Sequence, residues 1–252
     1  MLLCFDIGNT NVVLAIVENK EIKRTFRFVT NDHLTADEYY QKVKSVIGNQ
    51  IVEGVVISNV VPALDTIFDQ MVKKYFNLTP MFIAPGIKSG LKLKIDSPKT
   101  LGADLLCDAV GAIQKYQTPL IIVDLGTATK FIVVNDKKEY LGGAIAPGMN
   151  GSLNSLISSA AKLSHTALVK PKNIIGNDTT TCIQSGMIYG TVAMIEGMIS
   201  KIKAELNVEE INVILTGGLS ELIKDIIEIP FHYEPNILII GLIHLYYKNQ
   251  QD

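Results

Sequence analysis

The chain has 252 residues, 48% hydrophobic and 19% charged, which supplies a core and excludes disorder over most of its length. Its 23 Lys and Arg against 25 Asp and Glu leave a formal charge of −2, with no electrostatic footprint for wrapping nucleic acid. The longest apolar run, Ile237 to Tyr246, is too short to span a bilayer, and no basic residue precedes the N-terminal apolar stretch as a signal peptide requires.

In chain order, residues 2–7 read as an apolar strand, Gly8-Asn9-Thr10 as a turn and residues 12–17 as a second strand. Glu18-Asn19-Lys20 turns the chain into a partly alternating strand over 22–29. Thr35-x-x-Glu38 forms a capping box that starts a helix running to Ile47. A buried strand over 54–58, a helix over 62–76 with proline in its first turn, and a strand over 81–84 follow. Residues 86–100 lack periodicity and read as loop, and residues 102–116 read as helix. At Pro119 the pattern restarts, with strands over 120–125, 130–134 and 139–145 separated by Gly126-Thr127-Ala128 and Asp136-Lys137-Lys138. Helices are expected over 149–163 and 179–206, a strand over 211–215, a helix over 219–227 and a final helix over 236–249. Cys4, Cys107 and Cys182 are odd in number, far apart and set in apolar patterns, so they read as reduced, buried thiols of a cytoplasmic protein. The four histidines are equally scattered and suggest no metal site.

Asp6-Ile7-Gly8-Asn9-Thr10 and Asp124-Leu125-Gly126-Thr127-Ala128 repeat one pattern: an aspartate, an apolar residue and a glycine where a strand enters a turn. The fold class expected is therefore α/β in two related halves, 1–117 and 118–252, each a mixed sheet flanked by helices. The final helix, 236–249, is expected to pack back on the first half.

Gly8 lets backbone approach a ligand, and successive turn N–H groups with the Thr10 hydroxyl can cradle phosphate oxygens. Asp6 would add the hard oxygen that magnesium prefers. One such turn is equally plain hairpin chemistry, whereas two copies facing each other favour nucleotide phosphates. Thr216-Gly217-Gly218 reads either as a sharp strand-to-helix turn or as an anion site at a helix N-terminus. Asp104, in the first turn of its helix, is either a favourable charge on the helix dipole or a general base. No Walker-type loop, protein-kinase loop set, serine nucleophile elbow or His-Glu-x-x-His is present.

Together these segments resemble the type III pantothenate kinases, of the acetate and sugar kinase/Hsp70/actin superfamily. The likeness runs through Asp6-Ile7-Gly8-Asn9-Thr10-Asn11, Ser58-Asn59-Val60-Val61-Pro62, Gly102-Ala103-Asp104, Asp124 to Thr129, Gly142-Gly143-x-Ile145-x-Pro147-Gly148, Thr179 with Gln184-Ser185-Gly186, and Thr216-Gly217-Gly218. The resemblance implies two actin-like (ribonuclease H-like) halves with a cleft between them. It also implies ATP-dependent phosphorylation of pantothenate, the first step toward coenzyme A, by a homodimer. Asp6, Ile7, Gly8, Asn9, Thr10, Asn11, Val12 and Val13 would then hold ATP, with Thr127 contacting it. Asp104 would be the base, Asp6 a magnesium ligand and Asp124 the ligand of a potassium or ammonium ion. Gly102, Ala103, Asp104, position 105, position 95 and Thr179 would line the pantothenate site. No nucleic-acid or membrane partner is implied.

Three positions depart from the family. Leu105 stands where arginine is usual, Ile95 where a substrate-contacting tyrosine is usual, and Lys130 replaces a common threonine. Arginine would bind the pantothenate carboxylate by a charged, directional pair. With only Arg24 and Arg27 in the chain, a lysine such as Lys94, Lys99 or Lys130 is the remaining substitute. These departures leave two further readings, a non-catalytic binding or regulatory homologue and an actin-fold kinase for another small hydroxyl substrate.

Overall fold

Two antiparallel strands, β1 (Leu2–Ile7) and β2 (Asn11–Glu18), are buried along most of their length, as strands covered on both faces must be. β3 (Glu21–Val29) completes the meander as an edge strand, largely exposed and carrying Lys23, Arg24 and Arg27, charges that discourage edge-to-edge pairing. The computed structural model describes residues 1–84, 86–159 and 166–250. They fall into two units. The first comprises Met1–Leu91, Ile95–Lys115 and the chain from Asn236 on; the second comprises Lys92–Lys94 and Tyr116–Pro235.

In the first unit, α1 (Ala36–Ile47) begins at the expected capping box. The Glu38 N–H donates to Thr35 Oγ1, and the Glu38 carboxylate accepts from the Thr35 N–H at 2.8 Å. β4 (Gly54–Asn59) runs parallel to β1, and β5 (Met81–Phe82) runs parallel to β4. Pro62 opens a separate 3₁₀ turn, Pro62–Leu64, ahead of α2 (Asp65–Phe76). Phe5, Ile7, Leu14 and Ile57 of the sheet bury against Tyr39 of α1 and Phe68 and Met71 of α2. The alternate residues of β1 face α6 (Ile237–Asn249), and α3 (Ala103–Lys115) packs on α6 and on β4. Those two helices meet through glycine. A side chain at Gly111 would strike the Ile237 carbonyl, and one at Gly241 would strike the Cys107 carbonyl.

The second unit builds its sheet from β7 (Leu120–Leu125), β8 (Ala128–Val134), β9 (Glu139–Pro147), β10 (Asn212–Thr216) and β11 (His232–Tyr233), with β6 (Lys92–Leu93) added on the β9 edge. Without β6, the order β9-β8-β7-β10-β11 repeats β3-β2-β1-β4-β5 strand for strand. Its core joins Ile121, Val123 and Phe131 to Ile188, Val192 and Ile195 of α5 (Thr179–Leu206). α4 (Met149–Ser159) packs on α5, and the remainder of its expected span, 160–163, lies outside the described residues.

The structure corrects several expectations. Residues 219–227 form two 3₁₀ turns, Ser220–Leu222 and Lys224–Ile226, instead of a helix. The stretch is short and carries three isoleucines, whose stiff χ1 disfavours helix. Ile223 also leaves helical geometry at φ −122°. The two-residue strands β6 and β11 have too little sequence to show a period. Cys182 is exposed, because the first turn of α5 lies at the surface, while Cys4 and Cys107 are buried; all three are free thiols. Among the described residues no helix is long and apolar enough to cross a membrane.

Candidate active site

In the first unit, β1 ends by delivering Asp6 to the 8–10 turn. The Gly8 N–H donates to the Asn11 carbonyl at 3.0 Å, and Thr30 ties the turn to β3. The Thr30 hydroxyl donates to the Gly8 carbonyl at 2.6 Å, and its N–H to the Thr10 carbonyl at 3.0 Å. These bonds hold the turn while Asn9 and Thr10 stay exposed. Ile7 and Val12 are core residues, and Asn11 and Val13 are half-buried in β2, so the ligand-facing part of this segment is the turn itself.

Ser58 is the register partner of Asp6 on the parallel strand β4, on the same face of the sheet. The segment that follows is organised by Asn59, whose amide accepts from the Val61 N–H at 2.8 Å and donates to Asp65 Oδ1 at 2.7 Å. That explains the Ser58-to-Pro62 motif: it ends a strand and starts a helix with one side chain.

α3 brings Asp104 in its first turn. A Cβ at Gly102 would lie 2.5 Å from Asp104 Oδ1, so the bare glycine leaves the space that this carboxylate takes. Burial pushes the Cys107 thiol well above its usual range, and the carboxylates of Asp108, Asp6 and Asp104 push it further. Asp6 and Asp104, distant in the chain, thus act on one buried atom. Asp108, 1% exposed, belongs to the same acidic neighbourhood and was not singled out from sequence. The available signal was a charge one turn beyond Asp104 on an otherwise apolar helix face. Leu105 and Ile95 are half-buried in this unit.

In the second unit, β7 delivers Asp124, whose register partner on β8 is Lys130. Lys130 Nζ lies 2.5 Å from Asp124 Oδ2, with the two side chains 15% and 12% exposed. The Gly126 N–H donates to the Ala128 carbonyl at 3.0 Å and leaves Thr127 exposed at the tip. Two glycines close on this hairpin. Gly217, at φ +90°, lies where any side chain would strike Asp124 Oδ1 and the Leu125 backbone, and Gly148 likewise abuts the carbonyls of Gly126 and Thr127. Thr216-Gly217-Gly218 therefore packs on Asp124. It opens only a three-residue 3₁₀ turn, which lacks the aligned peptides of an anion-binding helix end. Thr179 is the exposed first residue of α5, behind an Asp178 cap whose carboxylate accepts from the Thr181 N–H at 2.8 Å.

Of the three lysines named as substitutes for the arginine, Lys130 is engaged by Asp124, and Lys94 Nζ lies 3.9 Å from Glu139. Lys99 sits on the exposed 3₁₀ turn Pro98–Thr100.

The donor set discriminates between cations. Among the described residues, no group of three or more His, Cys, Asp or Glu side chains is close enough to hold a metal. The hydroxyl of Ser58, buried and without a hydrogen-bond partner, adds one hard oxygen to the face that carries Asp6. Magnesium retains waters and takes one or two carboxylates plus substrate phosphates, so this sparse oxygen set fits it. At Asp124 the set does not fit a metal cation, because an ammonium group already occupies one carboxylate oxygen.

The sequence matches the family model for type III pantothenate kinase over residues 2–201. A type III pantothenate kinase of Halalkalibacterium halodurans is 41% identical over 254 residues, covering 99% of this chain and 100% of the relative. Among solved structures, a Campylobacter jejuni protein described as a Baf family transcriptional activator aligns with a TM-score of 0.62 at 18% identity, covering 99% of this chain and 100% of that one. An inorganic polyphosphate/ATP-glucomannokinase from Arthrobacter aligns with a TM-score of 0.51 at 13% identity, covering 98% of each chain. The fold is that of the actin-like sugar kinases, two mixed sheets flanked by helices.

Proposed function

The chain belongs to the type III pantothenate kinase family, and on that premise we propose how its residues divide the work of moving a phosphoryl group from ATP to pantothenate. It is a kinase of coenzyme A biosynthesis. The observation that supports the residue roles is the convergence of Asp6 and Asp104 on the Cys107 thiol, which brings a phosphate-side and a hydroxyl-side carboxylate into one neighbourhood.

The backbone N–H groups of the 8–11 turn and the Thr10 hydroxyl hold ATP phosphates, and Thr127 contacts the nucleotide from the second turn. Asp6, with Ser58, holds magnesium, which when bound neutralises phosphate charge. Gly102, Ala103, Leu105, Ile95 and Thr179 line the pantothenate site. Asp104 accepts the hydroxyl proton as that oxygen bonds to the γ-phosphorus and the bond to the ADP oxygen breaks. The chain acts as a cytoplasmic homodimer, a reading supported by the three free thiols and by the exposed apolar pair Ile174 and Ile175, 63% and 84% accessible.

Purified protein with ATP, magnesium and pantothenate should yield ADP and 4'-phosphopantothenate in equal amounts, and Asp104→Asn should yield almost none. Absence of product from the wild-type protein would overturn the reading. A kinase for another small alcohol is favoured by one observation, Leu105 at the arginine position, with both arginines on the exposed edge strand β3. Phosphorylation of a substrate lacking the carboxylate in preference to pantothenate would establish that alternative.

A further inference from the structure

We infer that the ammonium group of Lys130 is the resident monovalent cation of the second turn, so that this chain works without the potassium or ammonium ion implied by its resemblance. The inference rests on the functional reading above and goes beyond it.

Geometry carries it first. Lys130 Nζ is 2.5 Å from Asp124 Oδ2, and both side chains are mostly buried. The other carboxylate oxygen, Oδ1, lies against Gly217, whose backbone comes so close that no side chain fits there. A free cation would have to displace an ammonium group of the same charge, tethered at high effective concentration. It would also strand a lysine in a site with little water, which is costly.

Comparison of the two sheets carries it further. Asp6 and Asp124 hold equivalent places in strands of identical order, and the residue opposite Asp6 across its hairpin is Val13. The same hairpin therefore closes on an apolar partner, and a lysine opposite Asp124 is not required by the architecture. A lysine ammonium is a compact point charge with three donors, the closest covalent counterpart of an ammonium ion. Beside the Gly126–Thr127 turn it supplies fixed positive charge with no binding equilibrium of its own.

The test uses the purified full chain in potassium, ammonium, sodium or tetramethylammonium chloride at equal ionic strength. Both pantothenate phosphorylation and thermal unfolding are followed. The wild type should show the same rate and the same melting temperature in all four salts. Lys130→Thr should lose about a hundredfold in rate in sodium or tetramethylammonium, regain it in potassium or ammonium, and acquire a melting temperature that rises with potassium. Lys130→Arg retains the charge and should stay insensitive to the ion; it and the wild type decide the matter if the threonine variant fails to fold. Activation of the wild type by potassium, or a potassium-specific rise in its melting temperature, would overturn the inference. If pantothenate is phosphorylated in no salt, the functional reading falls, and the melting-temperature comparison still decides the role of Lys130.

Discussion

Ser58 and Asp6 are direct neighbours across the parallel β1–β4 pair, and Ser58 carries there a hydroxyl that is fully buried and has no hydrogen-bond partner. A buried polar group left unsatisfied is costly, and such groups concentrate at sites that bind something. Thr216 holds the equivalent place beside Asp124 in the second sheet. Each of these strand-end aspartates is thus flanked by a hydroxyl residue on its parallel neighbour.

Ser58→Ala should therefore raise thermal stability of the free chain, by up to about 1–3 kcal/mol for an unsatisfied group removed. If Ser58 serves the magnesium site, the same variant should need more magnesium for half-maximal rate. Calorimetry and a magnesium titration measure the two effects, and a loss of stability would mean that the hydroxyl is satisfied in the folded chain.

Asp6→Ala should abolish magnesium-dependent turnover, because it removes the carboxylate that the sparse oxygen set offers a hydrated divalent ion. Steady-state rates across a magnesium series check this. Wild-type activity at low magnesium would remove Asp6 from the mechanism.

Asp104→Asn should bind ATP normally and lose about 10²–10⁴ in kcat, the worth of a positioned general base. Asparagine keeps the shape that Gly102 accommodates, so the melting temperature should change little. A variant turning over at the wild-type rate would reduce Asp104 to a charge at a helix start.

Leu105→Arg should lower KM for pantothenate about tenfold to a hundredfold, the value of one charge-assisted hydrogen bond, with little change in kcat. Leu105 is half-buried at the first turn of α3, so an arginine stem can lie along the surface with its head in water. A lower melting temperature without gain in affinity would show that position 105 now serves packing.

Gly241→Ala tests the frame behind the site. Its new methyl would meet the Cys107 carbonyl, forcing apart α3, which carries Asp104, and α6. Overpacking of this kind costs about 1–3 kcal/mol, read as a fall in melting temperature. Gly186→Ala, on α5 where a methyl meets nothing, is the control and should leave stability unchanged or slightly higher.

Local order was written in the sequence wherever one residue acts on its near neighbours. The Thr35–Glu38 box, the Gly8 and Gly126 turns and the strand pattern that restarts at Pro119 each depend on contacts a few residues apart, so composition and period reveal them. The family was legible for a related reason: its motifs keep their order and spacing along nearly the whole chain. Residues 219–227 mark the limit, since their apolar period suits a helix while stiff isoleucines and a short span leave only 3₁₀ turns. What only the tertiary structure decided is which charges meet. Asp104 reaches the neighbourhood of Asp6 because α3 packs on β4, the parallel neighbour of β1, and Lys130 reaches Asp124 because the β7–β8 register puts it opposite. A shift of that register by one residue would send Lys130 to the other face of the sheet. The first pairing arises from packing between distant segments, which no local spacing encodes. The second lies within one hairpin, where the turn fixes the register but the burial of the ion pair depends on the rest of the unit.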